Sequence, residues 1–187
     1  MARRILSSTA AIAAFILGSA GNAVPQERHA DAHVHGVARL QLVTDGPRVS
    51  LAFNAPAADL LGFEHTAETD EQKGAVEIAR RALGDPIALF GLPGSLGCAP
   101  SRSDVHFTAD EPDDHDHDQD HDHGEGHAEF VAEYELTCST PVALPLTLET
   151  SFFDVFPLAG TLSIEALVAG RALRLEIDRQ SAGPVLQ

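Results

Sequence analysis

A fifteen-residue stretch of this chain consists almost entirely of side chains that bind metals. Between Asp113 and His127 it holds five histidines and seven carboxylates, with no lysine or arginine among them. The stretch contains no apolar side chain, so it cannot contribute to a packed core. Imidazole nitrogen and carboxylate oxygen are the ligands that zinc, nickel and copper(II) accept. The stretch, called the His/Asp tract below, therefore predicts divalent-metal binding.

The histidines of the tract are spaced so that neighbouring pairs can chelate one ion. His115 and His117 are separated by one residue, and so are His121 and His123. In an extended chain such pairs project to the same side, and the intervening aspartates can orient the imidazoles. His127 completes the set. The spacing does not select the metal, and the alternative is a solvated acidic loop whose histidines are incidental.

A second group of histidines lies on the first strand of the first predicted hairpin and beyond the hairpin. His33 and His35 alternate with Val34, so in a strand both imidazoles would project from one polar face. His65 follows the turn after the hairpin and would complete an ordered site with them. The alternative is that these are ordinary surface histidines.

Alternating apolar residues indicate that β-strands position both groups. Residues 33–43 and 49–53 alternate on either side of an Asp-Gly-Pro turn and predict a hairpin, as do residues 162–166 and 173–177. Strands around 105–107 and 130–136 flank the tract. The tract is therefore predicted to be an insertion between two paired strands.

Helical signals are fewer. Thr69 or Asp70 is predicted to cap a helix that ends near Leu83, and residues 57–63 predict a helical turn. Residues 87–90 are predicted to form a short strand. The fold class is therefore predicted to be α+β: a mainly antiparallel sheet of six to eight strands, with one or two helices and a long disordered insertion at residues 110–127.

The chain has two cysteines, Cys98 and Cys138, which an oxidising compartment would join in a disulfide. The loop closed by that bond contains the whole tract, so the disulfide is predicted to clamp the base of the insertion. The chain-entropy model gives about 4 kcal/mol for such a loop. The alternative is a pair of thiolates that bind metal.

The first residues are typical of an export signal. Arg3 and Arg4 precede an apolar run that ends at Leu17, and Gly21-Asn22-Ala23 is an acceptable cleavage site. The run is shorter than the roughly 20 residues of a membrane span. Residues 1–23 are therefore predicted to be a signal peptide, and residues 24–187 a single metal-binding domain that leaves the membrane after cleavage. An uncleaved membrane anchor is the alternative.

The charge of the chain argues against nucleic-acid binding. With 12 basic and 28 acidic residues the formal net charge is −16, and removing Arg3 and Arg4 makes it −18. Such a charge repels nucleic acid and anionic membranes and attracts cations. The chain also lacks a nucleophile elbow, a phosphate-binding glycine loop and a zinc-protease helix, so no enzyme activity is predicted.

Several strings of the sequence resemble the zinc-regulated periplasmic proteins of the ZrgA type, found in Gram-negative bacteria. They are His33-Val34-His35-Gly36, the segment 54–65 that ends in Leu60-Leu61-Gly62-Phe63-Glu64-His65, the tract, the segment 130–138, and Phe153-Asp154-Val155-Phe156-Pro157. The resemblance implies periplasmic zinc binding in support of an ABC-type importer. It implies that the tract histidines bind zinc, and it favours His33 and His35 as further ligands.

We therefore expect an exported zinc-binding accessory protein that captures zinc and supports its delivery to a high-affinity importer. Two other functions stay open at this point. One is a nickel or copper buffer or stress protein, and the other is a small secreted metalloenzyme.

Overall fold

The computed structural model describes residues 36–109, 127–181 and 183–187. A six-stranded sheet forms its framework, in the strand order β3-β4-β2-β1-β6-β7, and two short strands, β5 and β8, pair separately. The strands are β1 (Val37–Asp45), β2 (Arg48–Pro56), β3 (Ala99–Ala109), β4 (Ala128–Thr137), β5 (Leu146–Thr147), β6 (Thr161–Val168), β7 (Arg171–Asp178) and β8 (Val185–Leu186). The predicted α+β class is confirmed.

Most neighbouring strands are antiparallel, as predicted. The hairpins β1–β2 and β6–β7 form where the alternation placed them, and β3 pairs with β4 on either side of the tract. One pair departs from the prediction. β1 and β6 run parallel, with Val37 opposite Thr161, which makes the sheet a mixed one.

The described ranges contain four α-helices, more than the one or two predicted. They are α1 (Ala57–Leu61), α2 (Asp70–Leu83), α3 (Pro86–Phe90) and α4 (Phe152–Val155). The cap of α2 is the predicted one, because the Thr69 hydroxyl accepts the Gln72 N–H at 3.2 Å while the Gln72 side chain accepts the Thr69 N–H at 3.2 Å. None of these helices has the length and apolarity that crossing a membrane requires.

The prediction of a short strand at residues 87–90 is wrong, because this segment is helix α3. The Asp85 side chain accepts a hydrogen bond from the Ala88 N–H at 3.2 Å, and Pro86 occupies the first turn. Both features start a helix. An apolar run this short does not show by itself whether its period is that of a helix or a strand.

One face of the sheet is buried and the other is open. Phe53 of β2 packs against Phe90 and Phe152, with ring centroids 5.5 and 5.8 Å away, so α3 and α4 cover the same face. On the covered face the Tyr134 hydroxyl donates a hydrogen bond to the Leu83 carbonyl at the end of α2, at 2.8 Å. The opposite face is exposed and largely polar along β1, β2 and β4.

Candidate metal centre

The register of the strands sorts the candidate residues into two ends of the sheet. At one end β2 stops at Pro56, opposite Glu129, and β3 stops at Ala109, opposite Ala128. The tract connects the end of β3 to the start of β4, so we call this the histidine end. At the other end, which we call the disulfide end, Ala99 lies opposite Thr137.

The tract joins the fold at the histidine end. Its last residue, His127, is described, and lies exposed directly before β4. Four other tract histidines lie outside the described residues, and so do two upstream ones; they are His115, His117, His121, His123, His33 and His35. The predicted insertion between two paired strands is confirmed by the pairing of β3 with β4.

The cysteines form the predicted disulfide, with a sulfur–sulfur distance of 2.03 Å. The prediction that this bond clamps the base of the tract is wrong. Cys98 directly precedes β3 and Cys138 directly follows β4, so both lie at the disulfide end. β3 has 11 residues, and at about 3.3 Å per residue they separate the bond from the tract by roughly 35 Å. Disulfide-bonded sulfurs are also not the thiolates that metal binding needs.

His65 presents one free ring nitrogen to solvent. Its Nδ1 lies 2.9 Å from the Thr66 carbonyl oxygen, and its ring packs on Phe63 with centroids 5.2 Å apart. A carbonyl oxygen can only accept, so Nδ1 carries the proton in this hydrogen bond. The lone pair is then on Nε2. This is the arrangement in which a histidine binds a metal through one nitrogen while a carbonyl orients the other.

The sequence analysis missed one residue of the histidine end, Asp59. Its carboxylate is buried on α1, and both of its oxygens accept the N–H of Gly36, each at 2.9 Å. Gly36 follows His35 directly in the chain. The available signal was a single carboxylate in the apolar run from Ala57 to Leu61, whose partner lies 23 residues away.

The strand order brings the start of β1 and the start of β4 to the same end of the sheet. Gly36 precedes β1, which is separated from β4 by β2 alone. Two strand spacings of about 4.8 Å give roughly 10 Å between the starts of β1 and β4. The points at which the His33–His35 segment and the tract join the fold are therefore near each other.

The described side chains do not by themselves assemble a metal site. Within these ranges no three side chains of histidine, cysteine, aspartate or glutamate are grouped so that they could hold a metal ion. His106 is exposed on β3 opposite Val131, three residues before β3 ends at Ala109.

Carboxylates contribute negative charge at the histidine end. Glu129 accepts a hydrogen bond from the Asn54 amide across β2 and β4. Asp178, opposite Thr161 at the end of β7, accepts hydrogen bonds from the Ser181 hydroxyl and the Gln180 N–H, which hold the pKa of this carboxyl below its usual value. These groups favour cations over anions at this end.

A comparison of the chain with known protein families agrees with the metal-ligand composition of the tract. The sequence model of the family described as ZrgA family zinc uptake protein matches residues 32–183. The chain belongs to the ZrgA family. The resemblance seen in the sequence is thereby confirmed, and so is a role in zinc uptake at the level of the family. It is a transport-accessory family and not a known family of enzymes. Among curated proteins, none matches the chain.

The disulfide and membership of the ZrgA family indicate the same kind of compartment. Cys98 and Cys138 are joined, and such bonds persist in compartments outside the cytoplasm. The family and the disulfide together are consistent with a protein that meets zinc on the outer side of the cytoplasmic membrane.

Proposed function

We propose that this protein is an exported zinc-binding accessory protein, which captures zinc in the periplasm of a Gram-negative bacterium and supports its delivery to a high-affinity importer. The observation that carries the proposal is membership of a zinc uptake family in a chain whose β3–β4 connection is a tract of histidines and aspartates. Residues 1–23 act as the signal peptide, and residues 24–187 form the exported domain.

The two histidine groups have different tasks in this proposal. The tract holds many ligands on a connection that needs no fixed geometry, so it suits rapid and weak capture. His33, His35 and His65 form a tighter site on the folded domain. The support for the second site is that Gly36 is held in place next to His35, and that the His65 ring has its Nε2 lone pair available.

The short distance between the starts of β1 and β4 supports transfer of zinc from the tract to the folded domain. Zinc released from the tract near His127 would be roughly 10 Å from the start of β1, two strand spacings away. Rebinding over such a distance is favoured by a high effective ligand concentration. The acidic surface, with a formal net charge of −16 for the whole chain, adds attraction for the cation.

Zinc titration calorimetry on the purified protein tests the proposal. Replacing the five tract histidines, His115, His117, His121, His123 and His127, by alanine is expected to remove most of the bound zinc without changing the fold. A His33→Ala/His35→Ala variant is expected to lose the tightest site only. His106→Ala is the matched control, since it removes an exposed histidine that belongs to neither group. Unchanged stoichiometry and affinity in the tract variant would rule out capture by the tract.

A nickel or copper buffer is the second candidate, because the tract's ligands bind copper(II) more tightly than zinc by intrinsic affinity. Competitive loading with zinc, nickel and copper at buffered free-ion concentrations separates the two functions. We expect the tighter site on the folded domain to fill with zinc when each free ion is held near its cellular level. Preferential filling by nickel or copper would favour the buffer.

A further inference from the structure

We propose that the outer edge of strand β7 is a self-association surface, on which a second copy of this chain pairs in an antiparallel two-fold arrangement centred on Leu175. This inference goes beyond the proposed function and does not rest on it, because it involves none of the candidate zinc-binding histidines. It starts from the position of β7 at one edge of the six-stranded sheet.

The two edges of that sheet differ. At the β3 edge Pro100 has no N–H to donate, and the register with β4 shifts between Pro100 and Arg102. The Ser103 hydroxyl also reaches the Gly84 carbonyl beyond α2, at 3.5 Å. Strand β7 contains no proline, and its eight residues pair with β6 without a register shift. Prolines and bulges protect edge strands, so among the described strands of this sheet β7 presents the edge that is open to pairing.

Alternate backbone groups of β7 point away from β6. On the far side of β6 the Thr161 N–H bonds the Gly36 carbonyl at 2.8 Å, so the even-numbered residues of β6 direct their backbone groups toward β7. Their partners in β7 are the odd-numbered residues. The even-numbered residues of β7 therefore direct N–H and C=O groups outward, and they include Ala172, Arg174 and Glu176. Among the described residues, no backbone hydrogen bond outside the sheet involves these three.

The charges along β7 select one register for the second copy. Arg174 and Glu176 are both exposed and lie 3.6 Å apart on the open face of the sheet. In an antiparallel pair with its two-fold axis at Leu175, Arg174 of each copy lies opposite Glu176 of the other. An axis at Arg174 would place two arginines opposite each other, and an axis at Glu176 two glutamates. Opposite charges stabilise cross-strand pairs and like charges destabilise them.

The same register matches apolar side chains on the covered face. Leu173 and Leu175 are half-buried against the core, whereas Ile177 is buried. With the axis at Leu175, the two Leu175 side chains meet, and each Leu173 lies opposite Ile177 of the other copy. Pairing therefore extends the apolar core across the junction and covers side chains that a single copy leaves half exposed.

The junction is short. The Asp178 N–H donates to the Ser181 hydroxyl at 3.0 Å, so the outward ladder ends before Asp178. Arg174 and Glu176 of the two copies supply about four hydrogen bonds between them, which predicts a weak dimer. Because the paired strands run in opposite directions, the histidine ends of the two copies point away from each other. Zinc capture by either tract is then not obstructed.

Sedimentation velocity of the purified exported protein, over a concentration series and with a chelator present, tests the proposal. The chelator prevents zinc from joining two copies through their tracts. We expect a monomer–dimer equilibrium with a dissociation constant of roughly micromolar or weaker. A protein that stays monomeric up to roughly 1 mM, or that dimerises only when zinc is added, would overturn the inference.

Charge reversal locates the surface. Arg174→Glu and Glu176→Arg are each expected to weaken the dimer by roughly tenfold, because two symmetric pairs change from attraction to repulsion. The double variant Arg174→Glu/Glu176→Arg restores opposite charges and is expected to recover most of the lost affinity. Arg102→Glu is the matched control, since it reverses an exposed arginine that pairs with Asp104 on the other edge strand. It is expected to leave the dissociation constant unchanged.

The melting temperature of each variant, measured in parallel, shows that the fold is intact. A dissociation constant that is unchanged in both single variants would place the interface elsewhere and overturn the inference. A folded double variant that does not recover the dimer would overturn the register about Leu175, and the inference with it. Zinc stoichiometry per chain is expected to be the same in every variant, so either result leaves the proposed function intact.

Discussion

The two ends of the same sheet are held together by different kinds of bond. At the disulfide end, Cys98 and Cys138 are joined covalently, and backbone hydrogen bonds tie the loop after β4 to the β1–β2 turn. The Cys138 N–H reaches the Pro47 carbonyl at 2.8 Å, and the Val142 N–H reaches the Gly46 carbonyl at 3.0 Å. At the histidine end, the buried Asp59 carboxylate accepts the N–H of Gly36, the residue that follows His35 in the chain. His127 lies exposed directly before β4 at the same end.

The contacts that stabilise the fold and the candidate metal ligands lie at different ends of the sheet. At the disulfide end the cross-link and the backbone hydrogen bonds stabilise the fold, and the two sulfurs are oxidised, so they cannot act as thiolate ligands. The histidine end carries the Asp59, Glu129 and Asp178 carboxylates and the His127 imidazole. The covalent cross-link therefore lies at the opposite end of β3 and β4 from the points at which the tract joins them.

The largest expected effect comes from opening the disulfide. A Cys98→Ser/Cys138→Ser variant loses a cross-link between residues 40 positions apart. The chain-entropy model predicts that its free energy of unfolding falls by about 4 kcal/mol. Urea denaturation measures this loss. Because the bond lies far from the tract, the zinc affinity of the folded variant should equal that of the wild type.

A reduced wild-type sample is the control for the serine substitutions and should behave as the variant does. If the folded variant instead binds zinc tenfold more weakly, the disulfide affects zinc binding at the other end of the sheet, and the claim that the two ends are independent is wrong.

A smaller effect is expected from Tyr134, which stabilises the fold between the two ends. Its hydroxyl donates to the Leu83 carbonyl at 2.8 Å, so Tyr134→Phe should reduce the free energy of unfolding by about 1 kcal/mol at neutral pH. Burial raises the pKa of the Tyr134 phenol well above its usual value. The folded state therefore favours the neutral phenol, which an unfolded chain begins to lose near pH 10.

The sign of the pH effect follows. The stabilisation from the neutral phenol is complete below about pH 10 and is lost as the pH rises above it. The wild type should therefore lose stability more steeply than Tyr134→Phe in alkaline solution. The chain has one tyrosine and no tryptophan, so tyrosinate absorbance reports this residue alone. Tyrosinate that appears near pH 10 in protein that is still folded would contradict the burial.

Local patterns predicted the hairpins and helix α2, and failed where pairing is decided elsewhere in the chain. The alternation in β1, β2 and β4 and the Thr69–Gln72 capping box are complete within a few residues. The first part of β3 gave no such signal, because Ala99 to Ser103 are all exposed on an edge strand and only their pairing with β4 makes them a strand. For this reason the cysteines were expected near the tract.

The same limit applies to the candidate site. The histidines could be selected from the sequence because their spacing is local, and the family match supports zinc as their metal. The environment of Asp59 depends on a contact with Gly36, 23 residues away, and on the parallel pairing of β1 with β6. Neither has a local sequence pattern.

Anomalous scattering from crystals soaked in zinc tests most directly whether metal chemistry is confined to the histidine end. We predict a zinc peak within bonding distance of the His65 Nε2 atom, with His33 and His35 as further ligands. A zinc bound instead at His106 on the open face or near Cys98 and Cys138, with His65 unoccupied, would contradict the account.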